Sequence, residues 1–302
     1  MTVLVTGGSG FVGREVVRQL QAAGHTPRVL ARGTHGAEAG VETVRGSVMQ
    51  PETLAAACAR CDAVIHLVGI ISEVGVQTYE HVHLDGTRNV LAAAKAAGIP
   101  RYVHMSALGT RPNAVARYHR SKWAAEEAVR ASGLAWTIFR PSLIYGAGDG
   151  FVNLFARMSR WSPVLPVMGS GQNLVQPIAV ADVARCFVAA LTQPASIGQS
   201  YDLCGRERLS FSAVLDEILA ATGRHRAKVP IPMPLARFQA AVLEWVFPTL
   251  LRQAPPLNRD QLLMLAEDNV GDPEPAIRAF EFEPVKFREV IRGFLGTGSA
   301  RG

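Results

Sequence analysis

The sequence predicts an α/β protein, a doubly wound parallel sheet followed by a smaller, mostly helical C-terminal region. Three observations predict it. Short β-branched runs alternate with helical patterns through the first half of the chain, a glycine-rich turn separates the first strand from the first helix, and several strands read as continuous apolar runs, Ala63-Val64-Ile65-His66-Leu67 among them. Repeated strand–helix–strand order builds a parallel sheet with helices on both faces. A strand covered on both faces need not alternate apolar and polar residues.

Strands are expected at 2–6, 27–31, 42–45, 63–67, 101–105 and 135–140, and helices at 11–23, 51–59, 78–97 and 115–132. Past Pro141 the rhythm changes, because Gly146, Gly148, Gly150, Pro163, Pro166, Gly169 and Gly171 crowd together and such residues punctuate regular structure. A helix at 151–160, an extended stretch at 173–178, a helix at 180–193 and a strand at Tyr201-Asp202-Leu203 follow. Helices are then expected at 210–222, 234–247, 258–268 and 286–294, with a frayed end over 296–302.

The 302 residues are 48% hydrophobic and 19% charged, which supplies a sizeable core and excludes general disorder. The formal net charge of +6 suits a phosphate-rich ligand, an anionic membrane surface or nucleic acid. The basic residues are dispersed, with no lysine-rich tail, which argues against nucleic acid. Cys58, Cys61, Cys186 and Cys204 include one isolated CxxC. A zinc site needs a second ligand pair, none is visible, and inert thiols are expected with no metal. Met1-Thr2 leads directly into Val3-Leu4-Val5 without a basic leader, the opening expected of a cytoplasmic protein. No apolar run reaches the roughly 20 residues that cross a bilayer.

The turn Thr6-Gly7-Gly8-Ser9-Gly10-Phe11-Val12-Gly13 follows the first strand and opens the first helix. Gly7 allows a sharp turn, Gly10 lets the backbone approach a pyrophosphate, and Gly13 allows close packing of the helix. The helix start then offers free N–H groups and a positive dipole to phosphates. With strand, turn and helix in this order, the pattern reads as a dinucleotide-binding Rossmann site, and Gly7, Ser9, Gly10, Phe11, Val12 and Gly13 form the expected cradle. The second strand ends Val29-Leu30-Ala31-Arg32. A carboxylate there would bond the ribose hydroxyls of NAD(H), whereas the Arg32 guanidinium suits a 2′-phosphate, so NADP(H) is favoured over NAD(H). Arg28 and Arg14 are further candidates for that corner. Ser47 and Val48 are expected at the adenine edge, and Leu67, Val68 and Gly69 where the fourth strand meets the cofactor. The dinucleotide domain is expected over 1–145, with segment 174–203 returning to the sheet, and the C-terminal substrate or partner region over 146–302.

These residues resemble the extended short-chain dehydrogenase/reductase superfamily, through GxxGxxG at 7–13, His66-Leu67-Val68-Gly69, Gly86-Thr87-Arg88-Asn89-Val90, Tyr118-x-x-x-Lys122, Arg140-Pro141 with Tyr145-Gly146, and Val180-Ala181-Asp182-Val183-Ala184. A narrower likeness is to the atypical branch containing the alpha-subcomplex subunit nine of respiratory complex I. It rests on Val82-His83-Leu84-Asp85-Gly86, His104-Met105-Ser106-Ala107-Leu108-Gly109, Tyr118-His119-Arg120-Ser121-Lys122, Phe151-Val152-Asn153 and Gln176-Pro177-Ile178. The resemblance implies NADPH binding, often without established turnover, and a link to quinones or membrane respiratory complexes. It also implies cofactor contacts at Ser106 and Pro141.

Tyr118 and Lys122 are four apart on a helix and share a face. The lysine ammonium is expected to lower the phenol's pKa from its usual value near 10, so that Tyr118 can act as acid or base while Lys122 bonds the nicotinamide ribose. Active relatives carry a hydroxyl where this chain has Leu108. Ser106 is expected at the cofactor, and Thr110 replaces the missing hydroxyl only if the loop bends. Losing such a transition-state hydrogen bond costs about 2.7–4 kcal/mol, so turnover is expected to be slow.

His66 and His104 read as satisfied core histidines. His81 and His83 point apart, with His83 a structural hydrogen-bonder beside the cleft. Asp182 suits the start of a helix. The apolar segment 234–251 reads as a helix packed over the substrate cleft, with a membrane or partner surface as the alternative. Two functions therefore stand. One is an NADP(H)-dependent oxidoreductase acting on an apolar carbonyl or quinone-type small molecule. The other is a non-catalytic NADPH-binding accessory or assembly protein of a membrane respiratory system, peripheral at the inner face of the membrane.

Overall fold

The computed structural model describes residues 1–33, 40–251 and 253–296, so the expected fraying of 297–302 lies outside the described residues. Seven parallel strands form the central sheet: β1 (Thr2–Thr6), β2 (Thr26–Ala31), β3 (Glu42–Arg45), β4 (Ala63–His66), β5 (Arg101–Met105), β6 (Ala135–Pro141) and β11 (Gln199–Leu203). Their order is β11-β6-β5-β4-β1-β2-β3. The chain reverses its direction of winding between β1 and β4, and a crevice opens there beyond the carboxyl ends of the strands.

The apolar runs explain the layers. Val3 and Val5 of β1 face α1 (Phe11–Ala22), α6 (Val180–Ala190) and α10 (Glu274–Phe280), in a core that includes Val16, Leu20, Phe139, Phe187 and Phe280. Leu4, on the opposite face, joins Val64, Tyr102 and Ile138 beneath α2 (Leu54–Cys58), α3 (Gly86–Ala96) and α4 (Arg117–Arg130). At the other end of the sheet Arg101 is buried and donates to Ala190 O, Ala135 O, Thr137 Oγ1 and Ser196 Oγ. It stitches β5, β6 and the loop after α6 together, satisfying carbonyls that would otherwise be buried without partners.

Several expected elements are shorter or divided. The helix expected over 78–97 is a π-helical turn, Glu80–Asp85, running into α3, and that over 51–59 begins as a 3-10 turn, Pro51–Thr53. The extended stretch at 173–178 is two short strands, β9 (Leu174–Val175) and β10 (Ile178–Ala179), the latter paired with β7 (Ile144–Tyr145). Besides two-residue strands such as β7, the strands not expected are β8 (Val164–Met168) and β13 (Ala227–Ile231), which pair in parallel. Pro163, Pro166 and Pro230 disguise them, and proline is tolerated only where a strand has a free edge.

The C-terminal region contains α5 (Val152–Trp161), β12 (Leu209–Ser210), α7 (Phe211–Ala221), α8 (Met233–Val246), α9 (Arg259–Leu265) and α11 (Phe287–Leu295). Tyr145, Val152, Phe211, Leu215 and Phe287 form its core. α9 and α8 pack together through Leu262, Ala236 and Ala240. Asp182 is buried near the start of α6 and accepts a hydrogen bond from Val285 N.

Candidate functional site

The turn between β1 and α1 is built from backbone that approaches too closely for side chains. Gly7 has φ +78°, a left-handed conformation, and a Cβ there would sit 3.2 Å from Leu67 C and Val68 N at the end of β4. Gly10 N donates to Gly7 O. A Cβ on Gly13 would lie 2.1 Å from Gly7 O and 2.6 Å from Gly8 Cα, so this glycine packs against the turn itself as well as allowing the helix to approach the sheet. Gly8, which sequence reasoning passed over, fits against Val29 of β2, 2.7 Å from the place of a Cβ. No side chain caps α1 at Gly10, so its first-turn amides are available to an external acceptor. This cradle fits a diphosphate.

Around the crevice, Val48 is buried against Gly86, whose Cβ would lie 2.9 Å from Val48 Cγ2, and Asn89 Nδ2 donates to Val48 O. Ser47 N donates to Thr53 Oγ1. Arg32 is exposed at the end of β2, and its Nη1 donates to Gln77 Oε1 at 3.3 Å, a link from β2 to the loop beyond β4. Arg28 does not join this corner. It is buried, ion-paired to Glu42 at 2.8 Å and bonded to Ala57 O, Ala59 O and Cys61 Sγ. An even-numbered position in β2 directs it into the sheet face covered by α2. Arg14 is exposed on α1.

Tyr118 and Lys122 stand on α4. Lys122 is 2% exposed, its Nζ donates to Met105 O at 3.1 Å, and the place of a Cβ on Gly69 is 3.0 Å away. Burial lowers its pKa to about 8, against an opposing pull from Glu126. The Tyr118 ring meets His83 and Tyr79 edge to face, with centroids 5.3 Å and 5.9 Å apart. Burial raises the phenol to about 12, and this corrects the expected lowering. Desolvation disfavours the charged phenolate, and it is burial that sets the direction.

His83 is buried with its ring against the site. Nε2 accepts from Ile70 N at 3.0 Å, so Nδ1 carries the proton and donates to Ser121 Oγ at 2.8 Å, which donates in turn to Tyr118 O. Burial and the nearby Lys122 hold His83 down to about 2. His81 is exposed and bonds Val76 O.

The loop after β5 bends at Gly109, φ +88°, and Thr110 returns beneath Ser106, whose Oγ donates to Thr110 Oγ1 at 3.4 Å. Both hydroxyls are buried. Leu108 is also buried, its Cδ1 2.9 Å from the place of a Cβ on Gly271, and its N donates to Pro141 O. The leucine therefore packs into the C-terminal region, and the hydroxyls near the end of β5 belong to Ser106 and Thr110.

Beneath these residues lies a buried polar layer. His66 Nε2 donates to Thr87 Oγ1 and its Nδ1 accepts from Thr6 Oγ1, as expected of a satisfied core histidine. His104 stacks on it at 5.4 Å, but neither of its ring nitrogens has a partner among the described residues. Burial pushes His66 down to about 3 and His104 well below its usual range. The four cysteines are free and buried, and burial raises Cys58 to about 11, which makes them poor nucleophiles.

Residues that sequence reasoning missed come from the C-terminal region. Asp260 accepts from Arg117 N and Tyr118 N at 2.7 Å and 2.8 Å, and Asn258 Nδ2 donates to Ile71 O and Ser72 Oγ. The spacing Asn258-x-x-Gln261 is a readable capping box, and the structure forms it. Nothing local marks Asp260. Also unlike the expectation for 234–251, α8 buries only Ala236 and Ala240, and it exposes Leu235, Phe238, Val242 and Trp245, with Phe238 69% and Trp245 66% accessible.

A family model for the NAD dependent epimerase/dehydratase family matches residues 3–204. The chain belongs to this family. Among curated relatives it is 31% identical over 332 residues to a 2-alkyl-3-oxoalkanoate reductase of Stenotrophomonas maltophilia, covering 99% of this chain and 100% of that one. It is 38% identical over 200 residues to a ceramide reductase of Caulobacter vibrioides, covering 64% of this chain and 61% of that relative's length. It is 29% identical to the mitochondrial NADH dehydrogenase (ubiquinone) 1 alpha subcomplex subunit 9 of Arabidopsis thaliana, over 96% of this chain and 76% of that one. The Thermus thermophilus UDP-glucose 4-epimerase in complex with NAD shares the fold over 100% of both chains, with TM-score 0.76 and 23% identity. Members of the extended short-chain dehydrogenase/reductase group thus include both reductases and a respiratory-complex subunit, and among the described residues no helix is long and apolar enough to cross a membrane.

Folding is expected to be acid-sensitive through the buried histidines. An unfolded histidine takes up its proton near pH 6.5, whereas His66, His83 and His104 in the folded chain do not. Their stability contribution is complete above 6.5 and is lost as pH falls below it, by up to about 1.4 kcal/mol per pH unit for each. His104→Phe keeps the stacked ring and removes one titration. Urea unfolding from pH 7 to 4.5 is expected to show a shallower fall for this variant, and parallel curves would contradict the assignment.

Proposed function

We propose that this protein is an NADP(H)-dependent reductase of an apolar carbonyl or quinone-type substrate. The observation that carries the reading is Lys122 held at the ends of β5 and β4, against Met105 O and Gly69, four residues along α4 from Tyr118. Gly7, Ser9, Gly10, Phe11, Val12 and Gly13 would hold the diphosphate, Ser47 and Val48 the adenine edge, and Arg32 the 2′-phosphate. Leu67, Val68, Gly69, Ser106 and Pro141 would line the remaining cofactor path. When bound, the cofactor supplies a hydride.

The residues of the chain do the rest. A phenol near pKa 12 is protonated at neutral pH, so Tyr118 acts as a proton donor at its phenolic oxygen, which suits reduction of a carbonyl more than oxidation of an alcohol. Lys122, fixed by Met105 O, would bond the nicotinamide ribose and compensate charge left on the phenol. Ser106 and Thr110 would orient the substrate oxygen, in place of the hydroxyl absent at Leu108. Named reductases among the relatives support this direction.

A second reading, an NADPH-binding accessory or assembly protein of a membrane respiratory system, is favoured by the apolar face of α8 together with the complex I subunit relatives. Its apolar residues lie three, seven and ten positions along one face from Leu235, the spacing of an interfacial helix. In this reading the protein sits peripherally on the membrane, while the first reading places it in the cytoplasm.

Arg32→Asp is expected to weaken NADPH at least tenfold while leaving NADH within threefold, on the scale of one lost charge-assisted contact; equal losses in fluorescence titration would remove the assignment. NADPH oxidation with a panel of long-chain ketones, 3-oxo compounds and short-chain quinones is expected to reveal turnover that Tyr118→Phe lowers about 10²-fold or more. Tight NADPH binding with no turnover on the whole panel would favour the second reading. Phe238→Glu with Trp245→Glu is expected to abolish cosedimentation with vesicles of phosphatidylglycerol and phosphatidylethanolamine under that second reading, and absence of vesicle binding by the unmodified chain would count against it.

A further inference from the structure

The helix that carries Tyr118 and Lys122 starts without a cap of its own. Ala116 stands at the N-cap of α4 and has no side chain to offer the first-turn amides. Those of Arg117 and Tyr118 instead donate to the two carboxylate oxygens of Asp260, 143 and 142 residues later in the chain. A carboxylate at this place meets both the unpaired N–H groups and the positive end of the helix dipole.

The same segment holds the opposite wall. Asn258, buried, donates to Ile71 O and Ser72 Oγ. Ile71 O also accepts from the Tyr79 hydroxyl, Tyr79 N donates to Glu73, and Glu73 pairs with Arg117 at 2.9 Å. These bonds form a closed ring through α9, the loop after Gly69 and the first turn of α4, with the Tyr118 ring against Tyr79 inside it. α9 can bear this load because it is itself anchored, through its capping box, the Arg259–Glu244 ion pair and the packing of Leu262 on α8.

We propose that Asp260, supported by Asn258, is a positioning residue for Tyr118 and Lys122, fixing the nicotinamide end of the site from the C-terminal region. The proposal rests on the reading of Tyr118 and Lys122 given above. It separates the two halves of the cofactor site, because among the described residues neither the diphosphate cradle of β1 and α1 nor Arg32 is bonded to Asp260, and Arg32 meets the loop after Gly69 only through Gln77, which takes no part in the ring.

The test uses the full chain, with Asp260→Ala and Asp260→Asn. Two ligands are titrated: NADPH, and adenosine 2′,5′-bisphosphate, which carries only the adenosine half. Amide hydrogen exchange is followed at Arg117 and Tyr118. Loss of a helix cap corresponds to about a five- to tenfold change. Asp260→Ala is expected to weaken NADPH by about that factor, to leave the bisphosphate within twofold, and to speed exchange at the two amides about tenfold or more. Asp260→Asn keeps one accepting oxygen and is expected to restore most of the NADPH affinity. Unchanged NADPH affinity, equal weakening of both ligands, or unchanged exchange would overturn the proposal. If the unmodified chain binds neither ligand, it is the functional reading that fails. Exchange then decides alone, with acceleration confined to the first turn of α4 and the loop after Gly69 upholding the positioning role and an unchanged rate rejecting it.

Discussion

The approach of Gly13 to the carbonyl of Gly7 sets the geometry on which the rest of the site depends. A turn so tight that no Cβ fits between α1 and the end of β1 aims the uncapped start of the helix at the crevice beside β4. Gly7 then lies against Leu67 and Val68, so the first and fourth strands share one wall. The place where the sheet reverses its winding is therefore also where the uncapped first-turn amides of α1 emerge.

Beside this turn the chemistry is set by desolvation. Lys122 and Tyr118 are both pushed toward their neutral forms, in opposite pKa directions. A pair of this kind holds its proton on the phenol. Its environment is a layer of neutral imidazoles, of which His83 and His66 are fully bonded and His104 is not. Neutral histidines satisfy backbone and hydroxyl groups near a buried amine without adding a second cation, which a charged side chain in their place would do.

The sheet and the cradle were legible because their signals are local. Glycine spacing, apolar runs and the Tyr118-x-x-x-Lys122 spacing each depend on a few consecutive residues, and the periods of strand and helix translate them directly. What was not legible depends on partners far away in the chain. The charge state of Tyr118 follows from how much protein surrounds its phenol, and the spacing to Lys122 alone pointed the wrong way. Arg28, a further candidate for the corner of Arg32, is directed to Glu42 and Cys61 by the strand face it occupies. Leu108 looked like a lost hydroxyl, but the positive φ of Gly109 brings Thr110 back to Ser106, and one glycine in a loop does not announce such a bend.

The C-terminal region shows the same limit from the other side. Its helices are amphipathic enough to be located, yet which face is covered depends on tertiary packing. α8 spends its small residues, Ala236 and Ala240, on α9 and leaves its large ones outside. That is the reverse of what burial of apolar surface favours within one chain. In the fold the helix is held by a small apolar cluster that includes Leu262 of α9 and Met168 and Ile231 of β8 and β13, with the Glu244–Arg259 pair at its edge. The residues that anchor it, Asn258 to Gln261, are also those that reach the start of α4. The exposed apolar face and the candidate acid–base pair are thus joined through one short helix, which packs on α8 through Leu262 and bonds the first turn of α4 through Asp260.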